Sequence, residues 1–108
     1  MPMFLATGPY YSAGAAGLAE AGARQRAAEI AAMAEHLGGR LEAMYFGLGE
    51  SDTYIVFELP DTATAAAIAK AVNAAGTGHC NMQPILTPEQ MDEALGIDTT
   101  FAPPGAKG

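Results

Sequence analysis

Residues Tyr45 to Pro60 read Tyr-Phe-Gly-Leu-Gly-Glu-Ser-Asp-Thr-Tyr-Ile-Val-Phe-Glu-Leu-Pro. Two apolar runs flank Gly49-Glu50-Ser51-Asp52, which is the pattern of a β-hairpin. Thr53 to Leu59 is rich in β-branched and aromatic side chains and reads as a strand. Arg40 to Leu48 reads as its partner, with Leu41, Ala43 and Tyr45 facing one way and Glu42, Met44 and Phe46 the other. Asp52 is expected to bond its own backbone, as turn aspartates do. The hairpin makes its own two strands antiparallel neighbours.

The segments on either side supply the remaining elements. Met3 to Thr7 is a short apolar strand, broken by Gly8-Pro9. Ser12 to Gly22 is Gly- and Ala-rich and reads as a loose stretch with a short helical turn around Ala15 to Ala21. Arg24 to Leu37 is helical, because Ala27, Ile30, Met33 or Ala34, and Leu37 recur at helical spacing before Gly38-Gly39. His36 lies in its last turn, where an imidazolium meets the negative end of the helix dipole, a structural role. Asp61 is a good N-cap for a second helix, Thr62 to Ala75, whose stripe is Ala65, Ile68, Ala69 and Val72. Thr77 to Leu86 fits a fourth strand, and Pro84 within it implies an edge or a bulge. Thr87-Pro88-Glu89-Gln90 is a capping box opening a short helix that ends near Leu95-Gly96.

The order is strand, helix, strand, strand, helix, strand, small helix. That is an α+β chain of the ferredoxin-like βαββαβ pattern, a four-stranded antiparallel sheet with both helices on one face. The expected division is a domain over residues 1–96 and an extended C-terminal tail over 97–108. The second sheet face also carries apolar side chains, and nothing in the chain is left to cover it. A homodimer with facing sheets, or a multiple of dimers, is the expected solution.

Composition agrees with assembly. A chain of 108 residues fits one domain with a modest core. Hydrophobic residues make up 50% and charged ones only 16%, which suits a surface partly covered by another subunit. The formal net charge is -7, from 12 acidic against 5 basic residues, and the basic ones form no run. Phosphate neutralisation needs clustered Lys and Arg, so neither nucleic acid nor an anionic membrane is an expected partner. Cys80 is the only cysteine, which excludes an intrachain disulfide and fits a reducing compartment. With no signal-like N-terminus and no long apolar span, the expected location is cytoplasmic.

A set of residues in fixed order extends along most of the chain. It comprises Tyr10, Gly14, Gly17-Leu18, Arg26, Leu37-Gly38-Gly39, Tyr45-Phe46, Gly49, Asp52 and Pro60-Asp61. It continues with Ala71-Val72-Asn73, Gly76, Leu86-Thr87-Pro88-Glu89 and Pro103-Pro104-Gly105. In these the chain resembles single-domain members of the GYD domain family, named for a Gly-Tyr-Asp turn at the hairpin. The resemblance implies a ferredoxin-like fold of the dimeric α/β-barrel kind and a family without a settled biochemical function. Three departures stand out. Ser51 occupies the turn position of the family tyrosine. The strand exit is Gly8-Pro9-Tyr10-Tyr11. The fourth strand is Gly78-His79-Cys80-Asn81-Met82-Gln83-Pro84, where the family usually has a basic, threonine-rich run. An activity held by that basic residue has no counterpart here.

Alternation sets His79, Asn81 and Gln83 on one face of the fourth strand and Cys80, Met82 and Pro84 on the other. A polar trio is poor material for a helix-packed core, so it is assigned to the open sheet face, lining a cavity or the dimer seam. Tyr45 is expected beside that face and Tyr10 near the mouth of a cavity, where each could meet a planar ligand or simply pack. Arg26, at the start of the first long helix, could clamp a carboxylate or pair with a nearby acid. His79 and Cys80 are adjacent and point apart, and there is no CxxC or HxxxH, so no metal site is expected. No nucleotide or nucleophile motif is present and no cofactor is expected. Two functions remain open. One is a homo-oligomeric small-molecule-binding or interaction domain contacting ligand through Tyr10, Tyr45, Asn81, Gln83 and Arg26. The alternative is a cofactor-free enzyme of monooxygenase, isomerase or decarboxylase type, with His79 as acid or base in a pocket between sheet and helices.

Overall fold

The structure is a computed structural model that describes residues 1–105. Its elements are β1 (Met3–Gly8), α1 (Ser12–Ala21), α2 (Ala23–His36), β2 (Arg40–Phe46), β3 (Thr53–Glu58), α3 (Thr62–Ala75), β4 (Asn81–Ile85) and α4 (Pro88–Leu95). All pairings are antiparallel and the strand order is β2-β3-β1-β4. The architecture is α+β, as the element order predicts, and is consistent with the ferredoxin-like pattern.

The core lies between α2, α3 and one sheet face. Phe4 and Ala6 of β1 meet Phe57 of β3, Leu59 beyond it, Ile30 and Ala34 of α2, and Ala65 and Ile68 of α3. Phe57 and Leu59 are the largest fully buried side chains, each worth about 1.5–3 kcal/mol in burial. Asp61 caps α3 by accepting from the Thr64 N–H at 2.8 Å and its hydroxyl at 2.7 Å. α2 closes on Gly38 and Gly39, whose N–H groups donate to Glu35 O at 3.0 Å and Ala34 O at 2.9 Å.

Three local readings are corrected. The first is α1, a ten-residue helix rather than a loose stretch with one turn. Its alanines favour the helix, and its glycine at position 14 serves contact, since a Cβ there would lie 2.1 Å from the Thr77 carbonyl oxygen. The second is β2, which carries a bulge between Leu41 and Ala43. Leu41 opposes Phe57 and Ala43 opposes Val56, so Glu42 has no strand partner. Leu41 and Met44 therefore both pack on the core, whereas strict alternation would part Leu41 from Met44 and join it to Ala43 and Tyr45. The third is the fourth strand, which is regular only from Asn81 to Ile85, with a single bridge from Tyr10 to Gly78 ahead of it. β4 is an edge strand, which accommodates Pro84 opposite Phe4.

α4 opens with the expected capping box: Gln90 N–H donates to Thr87 Oγ1 at 3.1 Å and Thr87 N–H to Gln90 Oε1 at 2.9 Å. No residue from Leu86 to Gly105 is buried. Residues 97–105 form no helix or strand; 106–108, the rest of the expected tail, lie outside the described residues. The molecule measures 62 × 30 × 23 Å.

Candidate functional site

The helix-covered face of the sheet is incompletely filled. A cavity of about 270 Å³ runs between α2, α3 and the strands, walled by Met33, Met44, Ile55, Phe57, Ile68 and Val72. A second cavity, of about 250 Å³, lies between α1 and α2 and reaches Leu18 and Thr77. The two share Tyr10, Arg26 and Glu29. A third hollow, about 230 Å³, lies between α3 and β4 against Lys70 and Pro84.

Two side chains fix the backbone around the inner cavity. Asp52 does not bond its own turn: its Oδ2 accepts from the Tyr10 N–H at 2.7 Å, tying the hairpin loop to the exit of β1. The same loop is closed by Gly47 N–H to Asp52 O at 2.9 Å and joined to β1 by Asp52 N–H to Gly8 O at 2.9 Å. Asn73 of α3 clasps the backbone of residue 80 as a neighbouring strand would. Cys80 N–H donates to Asn73 Oδ1 at 2.7 Å, and Asn73 Nδ2 donates to the Cys80 carbonyl at 3.3 Å. This holds Cys80 in the cavity wall, where burial pushes its thiol pKa up and keeps it protonated. On the other side, β1 comes so close to His79 that a Cβ on Gly8 would lie 1.7 Å from the His79 carbonyl oxygen.

The anticipated site residues divide among three places. Tyr10 and Arg26 line both adjoining cavities. Tyr45, Asn81 and Gln83 belong to the opposite, open face, where Tyr45 opposes Tyr54, Asn81 opposes Thr7 and Gln83 opposes Leu5. His79 is exposed ahead of β4 and lies outside these three cavities. Sequence reasoning passed over Glu29, which pairs with Arg26 at 3.4 Å, and gave Asp52 and Asn73 no part in the cavity. The signal for Asp52 was its turn chemistry, and for Asn73 an amide late in an alanine-rich helix. Among the described residues there is no group of three or more His, Cys, Asp or Glu that could hold a metal ion. No helix among them is long and apolar enough to cross a membrane.

A four-stranded antiparallel sheet in this order, with helices on one face, defines an α+β protein consistent with the ferredoxin-like class. Within that class the chain belongs to the GYD domain family, whose model matches residues 4–95. No curated protein and no solved structure matches it significantly.

Proposed function

We propose that this GYD domain protein is a homo-oligomeric small-molecule-binding protein whose ligand occupies the cavity between sheet and helices. One observation carries the reading: apolar walls around about 270 Å³, with a tyrosine and an arginine in the lining. Cavities of this character, apolar with few polar groups, are the usual form of small-molecule sites. Wet apolar walls are unfavourable, and an apolar occupant relieves them. A cofactor-free enzyme would need an acid or base beside the bound molecule. The lining offers a tyrosine, a glutamate and a thiol held protonated, and no imidazole. The one carboxylate among them, Glu29, is paired with Arg26 at 3.4 Å, which favours binding over turnover.

The oligomeric part rests on the uncovered sheet face. Leu5 and Val56 lie at its centre and Tyr45 and Tyr54 beside them, Tyr45 being 68% exposed. Native mass spectrometry of protein purified from its source, with Val72→Phe as a cavity-filled control, tests both parts. The expected result is a dimer or multiple carrying a non-protein mass that Val72→Phe loses without changing subunit number. A clean apo oligomer would remove the ligand, and a monomer would remove the assembly.

A further inference from the structure

The inner cavity has walls of methyl, thioether and ring carbon, contributed by residues such as Met33, Met44, Ile55 and Val72. Among the described residues its only cationic lining residue is Arg26. The partner of that guanidinium is Glu29, one helical turn along α2, with Nη1 to Oε2 at 3.4 Å. Charge-assisted contacts of this kind run at about 2.7–2.9 Å when well formed, so the pair is loose. Both side chains are partly solvent-accessible, 38% for Arg26 and 46% for Glu29, and exposed pairs of this spacing hold weakly. Arg26 and Glu29 also line the outer cavity, so the pair stands where the two spaces meet.

Building on the small-molecule reading above, we propose that the site takes an amphipathic carboxylate. Its apolar body fills the inner cavity, and its carboxylate replaces that of Glu29 on Arg26. Three features support this. A free carboxylate can meet the guanidinium fork with two oxygens, whereas Glu29 offers one at long range. The walls supply hydrocarbon contact and, among the described residues, no second cation, which suits a ligand with one anionic end and an apolar remainder. The volume of about 270 Å³ equals about nine waters at ~30 Å³ each, which suits a body of about eight carbons. Each methylene buried adds about a factor of four in affinity until the cavity is full.

The probes are octanoate, its neutral counterpart octanol and its cationic counterpart octylamine, titrated calorimetrically into the full chain. The proteins are wild type, Arg26→Gln, Arg26→Lys and Glu29→Gln, each checked for native circular dichroism. In wild type, octanoate binds at least tenfold more tightly than octanol, and octylamine is weakest. Arg26→Gln erases the octanoate preference and leaves octanol unchanged, while Arg26→Lys keeps part of it. Glu29→Gln tightens octanoate about threefold by removing its competitor. Octanoate also slows alkylation of Cys80 in the cavity wall, which locates the bound body. Equal binding of octanoate and octanol, or an Arg26→Gln variant that keeps the preference, overturns the carboxylate assignment and leaves the small-molecule reading intact. If none of the three probes binds or protects Cys80, the carboxylate assignment falls, and the small-molecule reading falls with it only if native mass spectrometry also shows a clean apo protein.

Discussion

At the scale of single residues, two side chains do for the backbone what strands do elsewhere. Asp52 and Asn73 each capture a backbone N–H outside their own element, that of Tyr10 from 42 positions away and that of Cys80 from seven. Both captured residues line the inner cavity. Removing the Asp52 carboxylate leaves the Tyr10 N–H without its acceptor in a partly buried place. Asp52→Ala should cost about 2 kcal/mol in urea unfolding, and Asp52→Asn, which keeps an oxygen, much less. Equal losses in the two variants would count against the hydrogen bond as the cause. The sequence made Asp52 legible as a turn residue and Tyr10 as a candidate at a cavity mouth, but not the bond between them. A contact spanning 42 positions leaves no local pattern. The cavity itself was illegible for a related reason. Met33, Met44 and Ile55 look like ordinary core residues in sequence, and only their packing reveals that they do not close on one another.

At the scale of elements, local chemistry was the more reliable guide. Asp61, Gly76 and the Thr87 capping box stand where residue type alone puts them. The exceptions are elements whose form depends on contact. α1 needs Gly14 to pass the Thr77 carbonyl, and β2 needs an extra residue at Glu42 to bring both Leu41 and Met44 to the core. Around the bulge, Arg40 bridges Glu42 and, at 2.7 Å, Glu58 of β3, and the two carboxylates push its pKa up. The α3 cap gives a pH test. The Asp61 carboxyl is held below its usual range, first by the Thr64 hydroxyl and then by the Thr64 N–H. A folded pKa below the unfolded one means stability present above the ordinary carboxylate range and lost as pH falls through the lowered value. Asn caps a helix without titrating. The stability gap between wild type and Asp61→Asn should therefore close as pH drops from about 5 to about 2 in thermal unfolding. A gap constant across that range would mean the charge plays no part.

At the scale of the whole molecule, the chain is larger than its core requires. Its radius of gyration is 17.4 Å, whereas a compact domain of this length has about 13 Å. The excess coincides with a C-terminal arm that buries nothing, yet carries Leu86, Met91, Leu95, Ile97 and Phe101, all largely exposed. Leu48 at the hairpin tip is fully exposed as well. Apolar groups displayed this way suit a surface that another copy covers. If the sheet face is the seam, Tyr45→Arg sets like charges against each other across it and should shift the mass by light scattering to that of a monomer, about 11.0 kDa. A variant that keeps the wild-type mass would move the interface to the arm.

Any association between copies would be limited by the two outer strands. One edge of the sheet ends in β4, where Pro84 lacks the N–H that a docking strand would seek. The other ends in β2, where a bulge and the Arg40–Glu42 pair interrupt the ladder. Neither side is a ready template for further strands, so copies, if they associate, should meet broadside. Broadside contact between two sheets closes on itself, and the assembly should stop at a small fixed number rather than grow into a fibre.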